Sequence, residues 1–325
     1  MIWQWFFACI PSKITDTSND TGIALIDDDE DGYFINDENT ALIDCDDGNP
    51  TINPSTHRYI PAGSFLRGWD LNLDTAPMSE IFLSTYCIGV YEVTNADFVA
   101  FMNTQRELGW ENQTLDGEPL FDFEDNDDPY PERILDDGSR YRTEVGYEQH
   151  PVVEVYRWAA QAYCSAIGHQ LPTEAQWERA ARGDLGEIYP WGSEDADCSR
   201  ANYWPQSTPG EAPQDPCIDD TMPVGSYPVG HWGLYDMAGN VSEWVADWYQ
   251  ADYYESSPLE DPNGPESGWA EDLMNPEGFE AALARGGSLG SGSGSLRSFH
   301  RVPEPIDATS NGLGFRCSFS PYTAE

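Results

Sequence analysis

The chain has 325 residues, 39% hydrophobic and 13% aromatic, with 29 glycines and 24 prolines. This composition supplies a large apolar core but breaks it with many turns, which excludes a helical bundle and leaves one large loop-rich domain with an extension, or two ordinary domains. The formal net charge of −43, from 58 acidic against 15 basic residues, excludes a direct grip on nucleic acid or an anionic membrane surface.

Most of that charge reads as a solvated, salt-screened surface, while particular clusters read as divalent-cation sites. The apolar run Trp3 to Ala8 ends at Cys9 and is similar to a bacterial lipoprotein signal, with Cys9 as the lipid anchor. It departs from one in its shortness and in having no basic residue before the run. Residues 1–22 are read as a signal remnant and tether, 23–57 as an acidic calcium-binding motif and 58–325 as the main domain. The chain is expected to be extracytoplasmic, on a bacterial cell envelope or secreted.

In the acidic motif, Asp27, Asp29 and Asp31 alternate before Gly32, as at the opening of a calcium loop, where a glycine permits the sharp turn. Asp44-Cys-Asp-Asp-Gly-Asn-Pro50 follows and resembles the short calcium-binding repeats of thrombospondin type 3. Asp44, Asp46 and Asp47 join the candidate ligands. The closing glutamate and flanking helices of an EF-hand are missing.

Tyr59 to Gly68 reads as strand and turn, and Glu80 to Thr94 as strand. Thr94 is placed to cap a helix whose apolar stripe is Ala96, Val99, Phe101 and Met102. Residues 112–150 are acidic and aperiodic and read as a long loop insertion. Tyr156 to Ile167 is predicted helical, with Gly168 beyond its end. Thr173 and Gln176 form a capping box for a second strong helix, with Trp177, Ala180 and Ala181 on one face and Gly183 as its stop. The remainder reads as aromatic-rich loop and short strand.

Seven cysteines are scattered without a CxxC or Cys/His grouping, so zinc is not expected, and disulfides in an oxidising compartment are. Leaving out Cys9 leaves an even six. The densest stretch is Gly233-Leu-Tyr-Asp-Met-Ala-Gly-Asn-Val-Ser-Glu243. Asp236, Gly239, Asn240 and Glu243 offer hard oxygen donors around one tight turn, the arrangement calcium prefers, with Trp244, Trp248 and Tyr249 to bury it.

Pro61-Ala-Gly-Ser-Phe65, Tyr91-Glu-Val-Thr-Asn95, Leu171-Pro-Thr-Glu-Ala-Gln-Trp177, Tyr189-Pro-Trp-Gly192, Pro223-Val-Gly225, the turn at Asp236, Arg285-Gly-Gly-Ser288 and Gly314-Phe-Arg-Cys317 occur in this order. In that order, from about residue 58 to 320, the chain resembles the formylglycine-generating enzyme, or sulfatase-modifying factor, family. The resemblance implies a C-type-lectin-like α+β fold with much irregular loop structure and bound calcium. It implies one calcium site at Asp236, Gly239, Val241 and Glu243, and a second beginning at Asn202 and the Tyr203 carbonyl. The remaining ligands of the second site fall in a divergent stretch, where Asp215, Asp219 and Asp220 are the candidates.

The resemblance also pairs Cys164 with Cys317, and closing so long a loop contributes roughly 4–5 kcal/mol on loop-closure entropy. Cys198 and Cys217 flank the divergent stretch and are candidates for a local staple, leaving Cys45 and Cys87 paired or free. Enzymes of the family oxidise a substrate cysteine through two copper-binding cysteines. Those positions align with Ser291 and Leu296, and soft thiolates have no substitute there, so copper and the oxidase activity are not expected. Ser242 stands where the family commonly has tryptophan.

The five histidines show no HxxxE-type grouping and read as surface or structural. The run Gly286 to Ser295 lacks the lysine and helix of a P-loop and reads as a turned loop. The leading reading is a non-catalytic, calcium-stabilised domain binding a protein, peptide or glycan ligand around Ser291, Arg297, Arg301 and Trp204. The alternatives are a protein-modifying oxidoreductase with a divergent site, and a structural envelope component.

Overall fold

A computed structural model describes residues 29, 43–46, 48–70, 74–114, 116–123, 133–205, 217–271 and 275–321. Cys9, Asp27, Asp31, Asp47 and Asp215 lie outside them. The centre is a sheet in which β9 (Phe279–Arg285) pairs antiparallel with both β7 (Ser242–Trp248) and β10 (Val302–Pro305). β11 (Leu313–Phe315) joins the other edge of β7 in parallel, and β8 (Trp269–Ala270) adds to β9.

Successive side chains of a strand point to opposite faces, and here both faces are buried. Trp244, Ala282 and Ala284 enter one core with α1 (Asn95–Glu107) and α2 (Arg157–Ala166). Val245, Ala281 and Leu283 enter the other with α3 (Glu174–Arg182). This explains why β9 carries four successive apolar residues, Ala281 to Ala284, instead of an alternating pattern.

β1 (His57–Ile60), β4 (Tyr86–Gly89) and β12 (Ser318–Phe319) form a second sheet, and β2 (Gly63–Arg67) pairs with β3 (Ser79–Leu83). The predicted strand Glu80–Thr94 is therefore two strands. The corner between them is held by polar bonds: Ser84 N–H donates to Asp261 Oδ1 at 2.7 Å, and Thr85 Oγ1 accepts from Ala62 N–H at 3.1 Å. Thr94 and Asp97 form the cap of α1, and Thr173 and Gln176 that of α3.

The expected loop 112–150 contains a small hairpin, β5 (Ile134–Asp136) and β6 (Tyr141–Thr143), turned at Asp137-Gly138. Arg106 on α1 grips Asp136 through both guanidinium nitrogens, at 2.9 and 2.7 Å. The hairpin owes its position to this ion pair, and three-residue strands carry too little periodicity to be read from sequence.

Three disulfides fasten these parts. Cys164–Cys317 joins α2 to the chain between β11 and β12, Cys198–Cys217 closes a short loop, and Cys45–Cys87 ties the acidic segment to β4. The interior is rich in charge of both signs, with eight buried Asp and Glu beside the buried arginines. Arg67, Arg157, Arg179, Arg182, Arg285, Arg301 and Arg316 are all buried, so much of the small basic complement serves the core and leaves the surface more acidic.

Candidate functional site

The motif turn follows a short 3-10 turn at His231–Gly233 and runs into β7. Asp236 and Asn240 take left-handed φ values of 56° and 61°, and Gly239 one of 77°. A Cβ on Gly239 would meet the Asn202 carbonyl at 2.4 Å, so only glycine fits. Asn240 locks the turn by accepting Met222 N–H at 2.8 Å and donating to Glu92 Oε1 at 3.1 Å.

Glu243 does not stand free for a cation. Arg316 Nη2 lies 2.7 Å from its Oε1, while Arg316 Nε and Trp177 Nε1 lie 2.7 and 2.8 Å from its Oε2. All three side chains are buried, and the guanidinium also donates to the Tyr235, Gly89 and Val90 carbonyls. Both carboxylate oxygens of Glu243 are thus engaged by protein donors, and the charge of Arg316 already balances its own.

Asp236 differs. Its Oδ2 accepts Gly225 N–H at 2.6 Å, but buried Oδ1 finds no donor, and neither does buried Oε2 of Glu92. Burial pushes Asp236 up to about 6, although the Gly225 amide and the Arg316 charge hold it down. Burial and then the Asp236 charge push Glu92 well above the usual carboxylate range. Two facing buried carboxyls with unpaired oxygens suit either a shared proton or an oxygen-seeking cation. The donor set therefore fits calcium with Glu92 beside Asp236. Sequence reasoning passed over Glu92, although it stands in Tyr91-Glu-Val-Thr-Asn95, and passed over Arg316 in Gly314-Phe-Arg-Cys317.

The expected second site is built from hydrogen bonds. Asn202 Oδ1 accepts Ile218 N–H at 3.0 Å, its Nδ2 donates to the Asp220 carbonyl at 2.8 Å, and the Tyr203 carbonyl accepts Cys217 N–H at 3.0 Å. Asp220 Oδ2 is held by Arg133 and the Tyr147 hydroxyl, each at 2.7 Å. In the acidic motif, Asp44 and Asp46 accept turn amides from Asp46 and Gly48, as Asx-turn carboxylates do, while Asp27 and Asp31 lie outside the described residues. Among the described residues no three His, Cys, Asp or Glu side chains form a metal-holding group.

The expected ligand surface is partly assembled. Trp204, 42% exposed, donates its backbone N–H to the Ser291 carbonyl at 2.9 Å. Ser291 Oγ accepts Ser288 N–H at 2.9 Å, and Arg297 is exposed. Arg301 is not available: it is 2% exposed, with Nε 2.7 Å from Glu174 Oε1 and Nη1 on the Asp74 and Gln250 carbonyls. Solvating a guanidinium at that depth would leave Glu174 buried with only the longer contact to Arg285, at 3.5 Å, which makes Arg301 a structural cation. Leu296 is fully buried against Ala201, Tyr203 and Ala238. Every described cysteine is in a disulfide.

A two-core α+β domain with short strands, long ordered loops and a buried acidic turn is the class that fold and site define. The chain belongs to the family described as sulfatase-modifying factor enzyme 1-like domain, matched over residues 48–320. It is 39% identical over 262 residues to the serine/threonine-protein kinase Pkn1 of Chlamydia trachomatis serovar L2, covering 80% of this chain and 37% of that protein. The chain thus spans little more than a third of the length of the Chlamydia relatives it matches. It is 31% identical to the formylglycine-generating enzyme of Thermomonospora curvata, covering 81% of this chain and 92% of that enzyme. Among solved structures, Treponema denticola variable protein 1 shares the fold, with a TM-score of 0.57, 22% identity and coverage of 82% of this chain and 95% of that one.

Proposed function

We propose that this chain is an extracytoplasmic, calcium-stabilised member of the family that binds a protein, peptide or glycan, and does not perform copper- and cysteine-dependent oxidation. The observation that carries the reading is the pairing of all six described cysteines, with Ser291 and buried Leu296 at the positions aligned with the copper-binding pair. A disulfide sulfur is not a thiolate and does not hold Cu(I). Trp204 and Arg297 offer an aromatic face and a cation for a ligand with acidic or polar groups.

Asp236 and Glu92 would hold calcium, with the Gly239 and Val241 carbonyls as further oxygen donors. The ion would neutralise two buried carboxyls and so stabilise the turn. Three disulfides favour an oxidising compartment, and no described helix is long and apolar enough to cross a membrane. Lipidation of Cys9 belongs to the same proposal.

The test is incubation of the purified, copper-loaded protein with a cysteine-bearing sulfatase peptide and oxygen, read by mass spectrometry. The expected outcome is unmodified peptide, and formylglycine would overturn the reading. A divergent oxidase is the second reading, favoured by similarity along 92% of the Thermomonospora curvata enzyme, and the same assay decides between them.

A further inference from the structure

Beyond the acidic turn, a second cluster is built from side chains that no role above absorbs. His57 on β1 and His169, in the loop after α2, lie with ring centroids 5.0 Å apart, and His169 stacks on Phe319 of β12 at 4.3 Å. His57 also meets Phe319, at 5.6 Å and nearly perpendicular, so the three rings form one cluster. His169 is only 8% exposed, yet neither Nδ1 nor Nε2 has a hydrogen-bond partner. A neutral imidazole carries one N–H and one lone pair, and burying both unmatched costs about 1–3 kcal/mol for each group. His57 Nδ1 meets only the Thr56 hydroxyl, at 3.1 Å.

We propose that His57 and His169 form a two-imidazole site for a late first-row divalent cation, with zinc as the representative ion. With metal–nitrogen bonds of about 2.0–2.1 Å at a tetrahedral angle, two imidazoles on one ion have their centroids about 5 Å apart. The separation here already matches.

A cavity of about 570 Å³ reaches His57, giving an ion a way in, and Asp97 lines it. The Asp46 carboxylate lies near enough to act on His169, so the local field favours a cation. Among the described residues no third His, Cys, Asp or Glu side chain closes the set, so water fills the other positions. Nitrogen donors select zinc or copper over calcium, which separates this cluster chemically from the oxygen donors at Asp236. It departs from the expectation, drawn from cysteine spacing alone, that zinc has no place in this chain.

The experiment is zinc titration of the chelator-treated, disulfide-intact protein in excess calcium, which occupies the acidic surface. One equivalent of zinc is expected to bind. His57→Gln and His169→Gln should each weaken it roughly tenfold or more, since half the protein donors are gone, while His231→Gln keeps wild-type binding. Copper(II) electron paramagnetic resonance on the unmutated protein needs no variant to fold. Coupling to two nitrogens is expected, and an oxygen-only spectrum would overturn the site. So would absent zinc uptake, or uptake unchanged in both glutamine variants, which would put the ion on surface carboxylates.

Discussion

The turn at Asp236–Glu243 and the segment Gly286–Arg301 touch, but they are held in different ways. Gly239 N–H donates to the Gly286 carbonyl at 3.1 Å, and Leu289 N–H to the Asn240 carbonyl at 3.0 Å. The turn is fixed by buried polar side chains bonded to other elements, Glu243 to Arg316, Asn240 to Met222 and Glu92, and Asp236 to the Gly225 amide. The segment is clamped at its ends, where Arg285 bonds Glu178 at 2.7 Å and Arg301 bonds Glu174 at 2.7 Å. Between the clamps its polar contacts are backbone groups and serine hydroxyls. A residue paired with a buried charge cannot change alone without stranding its partner, whereas a serine on a clamped loop can. The fold can thus be kept while residues between the clamps change.

The most severe way to break that contrast is Arg316→Met. It leaves Glu243 charged, buried and held only by Trp177, and should cost about 3–5 kcal/mol. The midpoint of urea unfolding, followed by tryptophan fluorescence, measures it. Glu243→Leu added to Arg316→Met should restore much of the loss, because an apolar pair of similar volume strands no charge. A single variant as stable as the parent would show that the turn is no more tightly held than the loop.

The same contrast governs what could be read in advance. The capped helices at Thr94 and Thr173, the family order and the Cys164–Cys317 pairing were legible because each rests on a short pattern or a long motif. Glu243 and Arg316 are 73 residues apart, and Arg301 and Glu174 are 127 apart. Nothing in local spacing says that two such charges will meet in the core. Reading Arg301 as an exposed hook follows from treating charged residues as outward-facing, which the buried ion pairs of this interior reverse. The β3–β4 corner was missed for a related reason, since its polar partners, Asp261 and Ala62, are supplied by other segments.

A subtler effect belongs to the clamp. Asp247 Oδ2 accepts Glu174 N–H at 2.7 Å, and burial, then the Glu174 charge, push its carboxyl up to about 7. The folded protein therefore holds this proton more tightly than the unfolded chain does. Its contribution to stability is fully present below about pH 4, the ordinary range for aspartate, and is lost as pH rises through about 7. Unfolding midpoints measured from pH 4 to 8 should carry this fall, and Asp247→Asn should flatten it. An unchanged pH slope in the variant would remove Asp247 from the account and leave the clamp insensitive to pH.

The smallest expected change in stability is also the one most directly about function. Ser291→Ala removes one hydroxyl acceptor, and Arg297→Glu reverses an exposed charge in a segment whose ends stay fastened. Each should shift stability by no more than about 0.5 kcal/mol, the usual range for surface substitutions. If the surface beside Trp204 binds ligand, Arg297→Glu should weaken that binding while the unfolding midpoint stays where it was. Retained binding on a glycan and peptide array would exclude Arg297 from the ligand surface. A large drop in stability would instead mean that the loop carries structural weight between its clamps, and that its freedom to diverge has a different origin.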